Sequence, residues 1–540
     1  MRSGRNATGG LRLPGNSGVL MARLLVSVLV GLVAAALAAG QTAVPSADAA
    51  FAGFFRARTA REAADAADQI VASGIGFDEA FGRLRRGRPY SRDVPRGVVP
   101  GSYRAETGEY FYTLDVPESY DPARTYQVRV QLHGGVGRME ASAPPRPVST
   151  GLPGAEQIYV MPSAWKEAPW WSRRQVENLR AILDVVKRTY NVDENRVVLS
   201  GVSDGATGAY YTAMRDTTPF ASFLPLNGFI RVLENETADA DGDLFPNNLL
   251  NKPLFIVNGG RDPMYPTSVV DPYIEHLKGA GVNLVYRPQP DAGHDTSWWP
   301  EIKDAFERFV ADHPRVALPD ALSWASGPPN IPSRAHWLII DSLAAGRSDE
   351  PPLADVNTMS MPLDLDFGIR GSGARINRIV RGSNAEQIGL RPGDIVLTIN
   401  NRAAPSGADI AELLRGFPAG QPLLLTVARS GESVRLTGRY APTRLPGESV
   451  IFSRLRDWGR VDLIRTGNRI EAKARGVAAF TLLVSPDQFD LNRAVTVAVN
   501  GRTVFEGIVQ KDIRTLLKWA AADHDRTMLF AAELLVMTPR

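Results

Sequence analysis

The sequence predicts a mostly parallel, doubly wound α/β sheet, followed by a C-terminal β-sandwich domain that contains a small inserted domain. Strands alternate with helical stretches over residues 101–318, as in a parallel sheet that is covered on both faces. Short strands follow one another closely after residue 450, and a compact block with its own turns, 366–440, precedes them. At 540 residues the chain exceeds what one core can hold.

The first forty residues have the features of an export signal. They carry four arginines and no acid, and Arg23 precedes an apolar stretch, 24–39, that ends in small residues. The stretch is slightly short for a membrane span, which favours a cleaved signal peptide over residues 1–40. An uncleaved anchor and a start at Met21 remain open. We expect an exported protein, periplasmic or extracellular, with no stable membrane insertion after cleavage.

The charge and cysteine content exclude several classes of partner and site. The net charge is +3, and without the first forty residues 57 basic residues face 58 acidic ones. No Lys/Arg run with interleaved aromatic residues occurs elsewhere, which argues against nucleic acid as a partner. Without cysteine the chain has no disulfide and no Cys-based metal site.

Residues 50–100 are predicted to be a helical lead-in and a linker. Over 51–88, apolar and charged residues alternate at helical spacing, and 89–100 is rich in Pro, Arg and Gly. The α/β unit follows, over 101–318. Its predicted strands, most of them followed by a turn and a helical stretch, are 126–132, 157–161, 196–200, 254–258 and 283–287.

Ser203 is the predicted nucleophile. It lies in Gly201-Val202-Ser203-Asp204-Gly205, a G-x-S-x-G motif directly after a predicted strand and before a helical stretch. In that context the serine occupies a strained strand-to-helix turn, and the flanking glycines let neighbouring backbone approach closely.

A nucleophilic serine needs a base, and His294 fits best among six histidines. It lies in a loop just after the last predicted strand of the unit, where it can take the proton of Ser203. The others precede the serine, lie in or at the end of a helix, or fall outside the unit: His133, His276, His313, His336 and His524.

The acid is expected between the serine and the histidine in chain order. Asp262 follows a buried strand and lies at a turn, where it can orient the imidazole and stabilise the imidazolium. Asp295 is the alternative, although it cannot easily fold back onto the ring of its own neighbour. The oxyanion hole is expected from the backbone N–H groups of Asp204 and Gly135, with the His133 side chain structural.

Several motifs of the α/β unit together match known families. They are Leu-His-Gly-Gly at 132–135, Val-Asp-Glu-Asn-Arg-Val at 192–197, the G-x-S-x-G motif, Gly-Gly-Arg-Asp-Pro at 259–263 and Gly-His-Asp at 293–295. Residues 101–315 therefore resemble the polyhydroxybutyrate-depolymerase and esterase branch of the α/β-hydrolases, and also the catalytic domain of prolyl-oligopeptidase-like peptidases. Both resemblances imply a Ser-Asp-His mechanism through an acyl-enzyme, with no cofactor and no metal. The departures are Asp204-Gly205-Ala206, where many relatives carry a Gly-Gly pair, and the lack of a preceding propeller.

A second resemblance covers the block 366–440. The stretch Gly389-Leu-Arg-Pro-Gly-Asp-Ile-Val396, followed by Ile399-Asn400, is similar to a PDZ domain of the bacterial periplasmic-protease type. That resemblance implies binding of a protein C-terminus by strand addition, with Phe367, Gly368 and Ile369 as the carboxylate-binding loop. A degenerate module kept for packing is the alternative.

The PDZ block is predicted to interrupt the β-sandwich domain, which then comprises 319–365 and 441–540. The strand at 336–340 has no partner before residue 366, and a lone strand cannot satisfy its backbone. Candidate partners follow residue 450, including a hairpin at Asn500-Gly501.

These features together predict an exported serine hydrolase that cleaves carboxylic esters and carries a PDZ module. The expected partners are a small-molecule ester or peptide substrate and a protein C-terminus. A serine peptidase and a catalytically idle envelope scaffold remain as alternatives. The acidic loop 239–243 lacks the ligand spacing of an EF-hand, so no metal site is expected there.

Overall fold

The computed structural model describes most of the chain from residue 45 onward. The residues in this span that it leaves undescribed are 106–107, 139, 141–150, 235–243, 329, 345–359, 363–366, 373, 380, 416, 442–447, 451–456 and 540. The predicted signal peptide and the 239–243 loop lie outside the described residues. No described helix is long and apolar enough to cross a membrane.

Residues 45–75 form a compact unit of their own. It consists of helix α1 (Ala47–Arg56) and helix α2 (Ala60–Ala72). Thr59 and Glu62 close a capping box at the start of α2, which satisfies backbone N–H groups that the helix itself leaves free. Helix α3 (Phe77–Arg86) begins the second unit, which contains the rest of the described chain.

A mixed sheet forms the centre of the second unit. Its strands are β1 (Gly97–Ala105), β2 (Gly108–Val116), β3 (Tyr126–Leu132), β4 (Ile158–Pro162), β5 (Val192–Val202), β6 (Ser222–Leu226), β7 (Leu254–Gly259) and β8 (Leu284–Gln289). They lie in the order β1-β2-β4-β3-β5-β6-β7-β8, with β2 antiparallel to its neighbours and β3 to β8 mutually parallel. This order is that of the α/β-hydrolase fold, so the predicted fold class is confirmed. The predicted linker ends earlier than expected, because 97–100 pair with β2.

Helices cover both faces of the sheet. They are α4 (Arg173–Thr189), α5 (Asp204–Arg215), α6 (Thr267–Gly279) and α7 (Trp299–Asp312). Val198 and Leu199 are neighbours on β5 and both fully buried, but Leu199 belongs to one core with Ile182 of α4, and Val198 to another with Phe306 of α7. Since consecutive strand residues face opposite sides, the sheet is doubly covered, as predicted.

The C-terminal part of the chain is rich in strands. They are β9 (Ala321–Ser326), β10 (Ser333–Ala335), β11 (Leu338–Leu343), β12 (Ser360–Pro362), β13 (Ile369–Ser372), β14 (Arg375–Ile379), β15 (Ile395–Ile399), β16 (Arg402–Ala403), β17 (Pro422–Arg429), β18 (Glu432–Arg439), β19 (Glu448–Val450), β20 (Gly459–Thr466), β21 (Arg469–Arg475), β22 (Val477–Val484), β23 (Val495–Val499), β24 (Arg502–Gly507) and β25 (Ala532–Met537). The helices are α8 (Asn384–Ile388), α9 (Gly407–Arg415) and α10 (Ile513–Asp523).

Two sheets form the β-sandwich, in the orders β24-β23-β21-β20-β9 and β10-β11-β22-β25, around a shared core. Strand β9 pairs with β20, and β11 pairs with β22, so strands from before the PDZ block are completed by strands from after it. The strand predicted at 336–340 begins at Leu338 instead, because His336 has a φ of 51° that breaks the extended run. The domain boundaries given above remain predictions.

The block between these strands has its own sheet and core. The sheet order is β13-β14-β15-β17-β18, with β16 beside β15, and Phe367, Val396 and Leu425 lie in the core. Strand β12 pairs antiparallel with β19, and Pro362 lies opposite Glu448. The chain therefore enters and leaves the block through a paired ribbon.

A buried polar contact joins the β-sandwich to the hydrolase sheet. The guanidinium of Arg315 donates to the carboxylate of Asp525 at 2.6 Å and to the side-chain oxygen of Asn195 at 3.0 Å, and the Arg315 and Asp525 side chains are fully buried. The neighbouring Arg526 donates to the carboxylate of Glu194 at 2.7 Å. The Val-Asp-Glu-Asn-Arg-Val motif therefore anchors the sandwich to the sheet.

Candidate active site

Ser203 lies at the turn between β5 and α5. Its φ and ψ are 58° and −117°, a conformation that residues other than glycine rarely adopt, and its N–H donates to the Leu226 carbonyl. A Cβ on Gly201 would meet the Gly205 carbonyl oxygen at 2.0 Å, and one on Gly205 would meet that of Leu132 at 2.1 Å. Both glycines of the motif are therefore required by close backbone contacts.

His294 and Asp262 meet Ser203 in the arrangement that the sequence predicts. The Nε2 atom of His294 is 2.8 Å from the Ser203 Oγ, and its Nδ1 is 2.6 Å from the Asp262 Oδ2. The Asp262 carboxylate is fully buried, and its Oδ1 accepts the backbone N–H groups of Met264 and Tyr265. With Asp262 ionised, Nδ1 carries the imidazole proton and Nε2 is free to accept that of the serine.

The turn that carries Asp262 packs closely on the loop that carries His294. A Cβ on Gly259 would lie 2.4 Å from the Gly293 carbonyl oxygen, and one on Gly260 would lie 2.4 Å from that of Pro290. The Gly-Gly pair before Asp262 therefore lets the acid reach the imidazole.

Asp295, the alternative acid, has a different partner. Its carboxylate accepts the backbone N–H of Ser297 at 2.9 Å, and hydrogen bonds from Ser297 lower the pKa of this carboxyl. The Asn227 side chain donates to the Asp295 carbonyl at 2.6 Å and so holds the histidine loop. Sequence reasoning missed Asn227, since an isolated asparagine outside any motif gives no signal.

The loop after β3 lies against Ser203. A Cβ on Gly134 would be 3.0 Å from the Ser203 Cβ and 3.6 Å from its Oγ. The Asp204 Oδ2 accepts the backbone N–H of Val136 at 2.8 Å, which fixes this loop to the start of α5. Among the described residues, the backbone N–H groups of Asp204 and Gly135 have no acceptor, which leaves them available to a substrate oxygen.

His133 has a structural arrangement. Its Nε2 accepts the N–H of Ala164 at 3.1 Å, and its Nδ1 is 2.9 Å from the Gly134 carbonyl oxygen. The indole N–H of Trp170 donates to the backbone carbonyl of His133. Burial lowers the pKa of His133, so the imidazole is neutral and both of its nitrogens are engaged. The contact with the Ser203 Oγ therefore comes from His294 and not from His133.

We expect Asp204→Ala to lower kcat for a short acyl ester by about 10- to 100-fold, because the loop that carries Gly135 loses its anchor. Asp204→Asn keeps a side-chain oxygen that can accept the Val136 N–H, and it should retain most of the activity. Steady-state kinetics on the two variants check this, with KM changing less than kcat. An unchanged kcat in Asp204→Ala would show that the carboxylate does not position the loop.

The residues predicted for peptide binding lie together at an edge of the PDZ sheet. Gly368 has a φ of 83°, and Ile369 begins the edge strand β13, opposite Ile379 of β14. The Phe367 side chain is buried against Tyr440, with ring centroids 6.1 Å apart, and its carbonyl accepts the Ala385 N–H. Phe367 therefore contributes its side chain to the core rather than to a groove.

Comparison with known proteins identifies the inserted block. Residues 375–429 match the family model described as a PDZ domain, which confirms the predicted resemblance. The magnetosome formation protease MamE of Magnetospirillum gryphiswaldense is 30% identical over 105 residues, which are 19% of this chain and 13% of that protein. The probable periplasmic serine endoprotease DegP-like of Ectopseudomonas mendocina is 24% identical over 184 residues, 33% of this chain and 37% of that protein. The matches thus span well under two thirds of either relative.

Solved structures share part of the chain at low similarity. A thermostable esterase is 19% identical with a TM-score of 0.31, over 40% of this chain and 63% of its own. Dipeptidyl peptidase 4 of Porphyromonas gingivalis is 14% identical with a TM-score of 0.32, over 40% of this chain and 35% of its own. The strand order of the sheet, rather than these low similarities, identifies the α/β-hydrolase fold.

Proposed function

We propose that the protein is an exported serine hydrolase that cleaves carboxylic esters through Ser203, His294 and Asp262. The observation that carries this proposal is the continuous hydrogen-bonded chain from the Ser203 Oγ through the imidazole to a buried carboxylate. The strained serine turn supports it, as do the N–H groups of Asp204 and Gly135, which no described residue accepts. A catalytically idle scaffold would have no need for this chain of contacts.

The mechanism has two halves. His294 Nε2 takes the Ser203 proton as Oγ attacks the ester carbonyl, and the Asp204 and Gly135 N–H groups stabilise the oxyanion. The tetrahedral intermediate collapses, and the imidazolium gives its proton to the departing alcohol, which leaves an ester on Ser203. Water, deprotonated by His294, then attacks that acyl-enzyme and releases the acid, and the proton returns to the Ser203 Oγ.

The acyl-enzyme can be tested with a chromogenic p-nitrophenyl ester. We expect a rapid burst of about one p-nitrophenol per chain before steady turnover, if deacylation is the slower half. Steady hydrolysis that is present in the wild type and absent in Ser203→Ala also supports the proposal. Hydrolysis at the uncatalysed rate would contradict it.

A serine peptidase is the second candidate, because the same proton transfers also serve an amide whose leaving group is an amine. The names of MamE and the DegP-like relative describe proteases, although those matches are short. Matched ester and anilide substrates with the same acyl group separate the two functions. Turnover of the ester but not of the anilide supports the esterase.

We further propose that the PDZ domain binds protein C-termini at β13, with Gly368 and Ile369 offering backbone N–H groups to the carboxylate. The edge position of β13 and the positive φ of Gly368 support this. The block 366–440 contains ten arginines, no lysine and six acidic residues, so it is basic. A positive field attracts acidic peptides, and their binding should weaken as salt increases.

The PDZ block should be removable. Because Pro362 lies opposite Glu448, an Asn-Gly turn can replace 363–447 and close β12 onto β19. We expect the shortened chain to stay folded, to retain its esterase activity and to lose binding of C-terminal peptides, measured by fluorescence anisotropy. Peptides with an amidated C-terminus are the matched control and should bind neither protein. Loss of hydrolase activity after excision would show that the block is integral to the fold.

A further inference from the structure

The segment after β6 lies between the candidate nucleophile and the candidate base. The carbonyl of Leu226 accepts the Ser203 N–H at 3.0 Å. The side chain of the next residue, Asn227, donates from Nδ2 to the Asp295 carbonyl at 2.6 Å. Because Asp295 directly follows His294, two consecutive residues hold both the turn of the serine and the loop of the histidine.

Residues 226–228, which we call the brace segment, are also fixed to the strand and the helix beside them. The side chain of Asn258, near the end of β7, donates to the Gly228 carbonyl at 3.0 Å. A Cβ on Gly228 would lie 2.3 Å from the Cβ of Ala206 in α5. Strand β7 leads into the turn of the candidate acid. The brace segment therefore contacts the elements that carry all three members of the candidate triad.

The backbone of Asn227 leaves its side chain little freedom. Its φ is 50°, its N–H donates to the Val257 carbonyl at 2.7 Å, and the residue is fully buried. Asparagine is one of the few residues other than glycine that adopt this left-handed conformation. Since its partner in the histidine loop is a carbonyl oxygen, the amide nitrogen must face it. A buried side chain on a fixed backbone thus holds the histidine loop in one place.

Stability alone does not explain the two asparagines. Among the described residues, the Oδ1 atoms of Asn227 and Asn258 are buried without a hydrogen bond. A buried acceptor without a donor lowers the stability of a fold, and an apolar residue would avoid that loss. Local features that lower stability are expected where a functional site requires them. What these residues contribute is therefore the contact of their amide nitrogens with the loops of the site.

We infer that Asn227 is a positioning residue of the proposed reaction, which places the His294 imidazole relative to Ser203 by holding the Asp295 carbonyl. The Nε2 atom of His294 lies 2.8 Å from the Ser203 Oγ, and proton transfer between these atoms depends steeply on their separation. Asn227 itself accepts and donates no proton in the reaction. This inference rests on the proposed function.

Asn227→Gly tests the inference, because glycine adopts the positive φ and only the amide is lost. We expect kcat for a short acyl ester to fall by about 10- to 100-fold with little change in KM, because the imidazole shifts and the surfaces that bind the ester do not. The rate at which a fluorophosphonate labels Ser203 should fall by the same factor. Asn258→Ala, which frees the Gly228 carbonyl, should act in the same direction and by less, and it serves as the second variant if the first does not fold.

Asn500→Gly is the matched control. Asn500 also has a positive φ, 49°, and its side chain bonds both main-chain groups of Ala474 in the β-sandwich, at 2.9 and 3.1 Å. This variant should lower the midpoint of thermal unfolding about as much as Asn227→Gly does, yet leave kcat unchanged. If the folded Asn227→Gly variant also kept its kcat, the asparagine would be merely structural and the inference would be wrong.

Labelling in the His294→Ala background separates an effect on the base from an effect on the serine turn. Since Asn227 acts through the imidazole, Asn227→Gly should slow labelling no further once the imidazole is absent. A further slowing as large as in the wild-type background would show that the brace segment acts on the serine, and it would overturn the inference. If the wild type itself neither hydrolyses an ester nor reacts with the probe, the proposed function fails instead.

Discussion

Ser203→Ala should lower kcat for a short acyl ester by about 10⁴-fold or more, and His294→Ala should do the same. Without Oγ no acyl-enzyme can form, and without the imidazole neither the attacking serine nor the leaving alcohol has a proton partner. Asp262→Asn should leave a small residual rate, since an asparagine that donates to Nδ1 favours the wrong tautomer. Initial-rate assays with a chromogenic ester measure the activity of all three variants.

The losses of activity in these variants should not be additive. Ser203→Ala combined with His294→Ala should be about as slow as either single variant, because the members act as a unit. Asp295→Ala is the control for the acid, since its carboxylate accepts the Ser297 N–H and not the imidazole. If Asp295→Ala lost most of its activity and Asp262→Asn kept it, the assignment of Asp262 as the acid would be wrong.

Asp525→Ala should reduce the free energy of unfolding by about 3–5 kcal/mol, because it leaves the Arg315 guanidinium buried without its countercharge. Denaturant unfolding of the whole chain measures the loss. The exposed pair Arg469–Glu471, at 3.0 Å, provides a control on the same domain. Glu471→Ala should cost less than about 1 kcal/mol.

The buried Arg315–Asp525 pair should also make the stability of the protein depend on pH. Burial alone acts to raise the pKa of Asp525, but the charges of Arg315 and Lys187 and the hydrogen bonds from Thr527 and Arg315 outweigh it and lower the pKa. The stabilisation is therefore present above the unfolded-state pKa of about 3.9 and is lost as pH falls below it. Asp525→Asn should flatten this acid-side loss of stability. If Asp525→Asn lost stability at low pH as the wild type does, the assignment of this loss to Asp525 would be contradicted.

The predicted site residues came from local patterns that tertiary structure then brought together. Ser203 has a strand–turn–helix motif, and His294 follows from elimination among few histidines, so both could be found in the sequence. Asn227 could not, because its value lies in a contact with the Asp295 carbonyl, 68 residues away in the chain. Asp204 was predicted for its backbone N–H, and the role of its carboxylate at Val136 depends on a contact between distant loops.

Some strands were missed for physical reasons. Strand β6 contains Pro225, and proline is normally depleted from central strands, yet β6 lies between β5 and β7. Strand β1 begins with Gly97 and includes Pro100, which resemble linker residues. The interruption of the β-sandwich could be predicted, because a lone strand at residues 336–340 needs hydrogen-bonding partners. That strand begins two residues later than predicted, after His336.

The most direct test of the central claim is covalent capture by a fluorophosphonate probe. Peptide mapping of the labelled wild-type chain should place the phosphonyl group on Ser203, because only an activated hydroxyl attacks such a probe readily. Labelling should disappear in Ser203→Ala and be strongly slowed in His294→Ala, while Asp295→Ala labels normally. A folded wild-type chain that resists the probe, or that is labelled at another residue, would contradict the account.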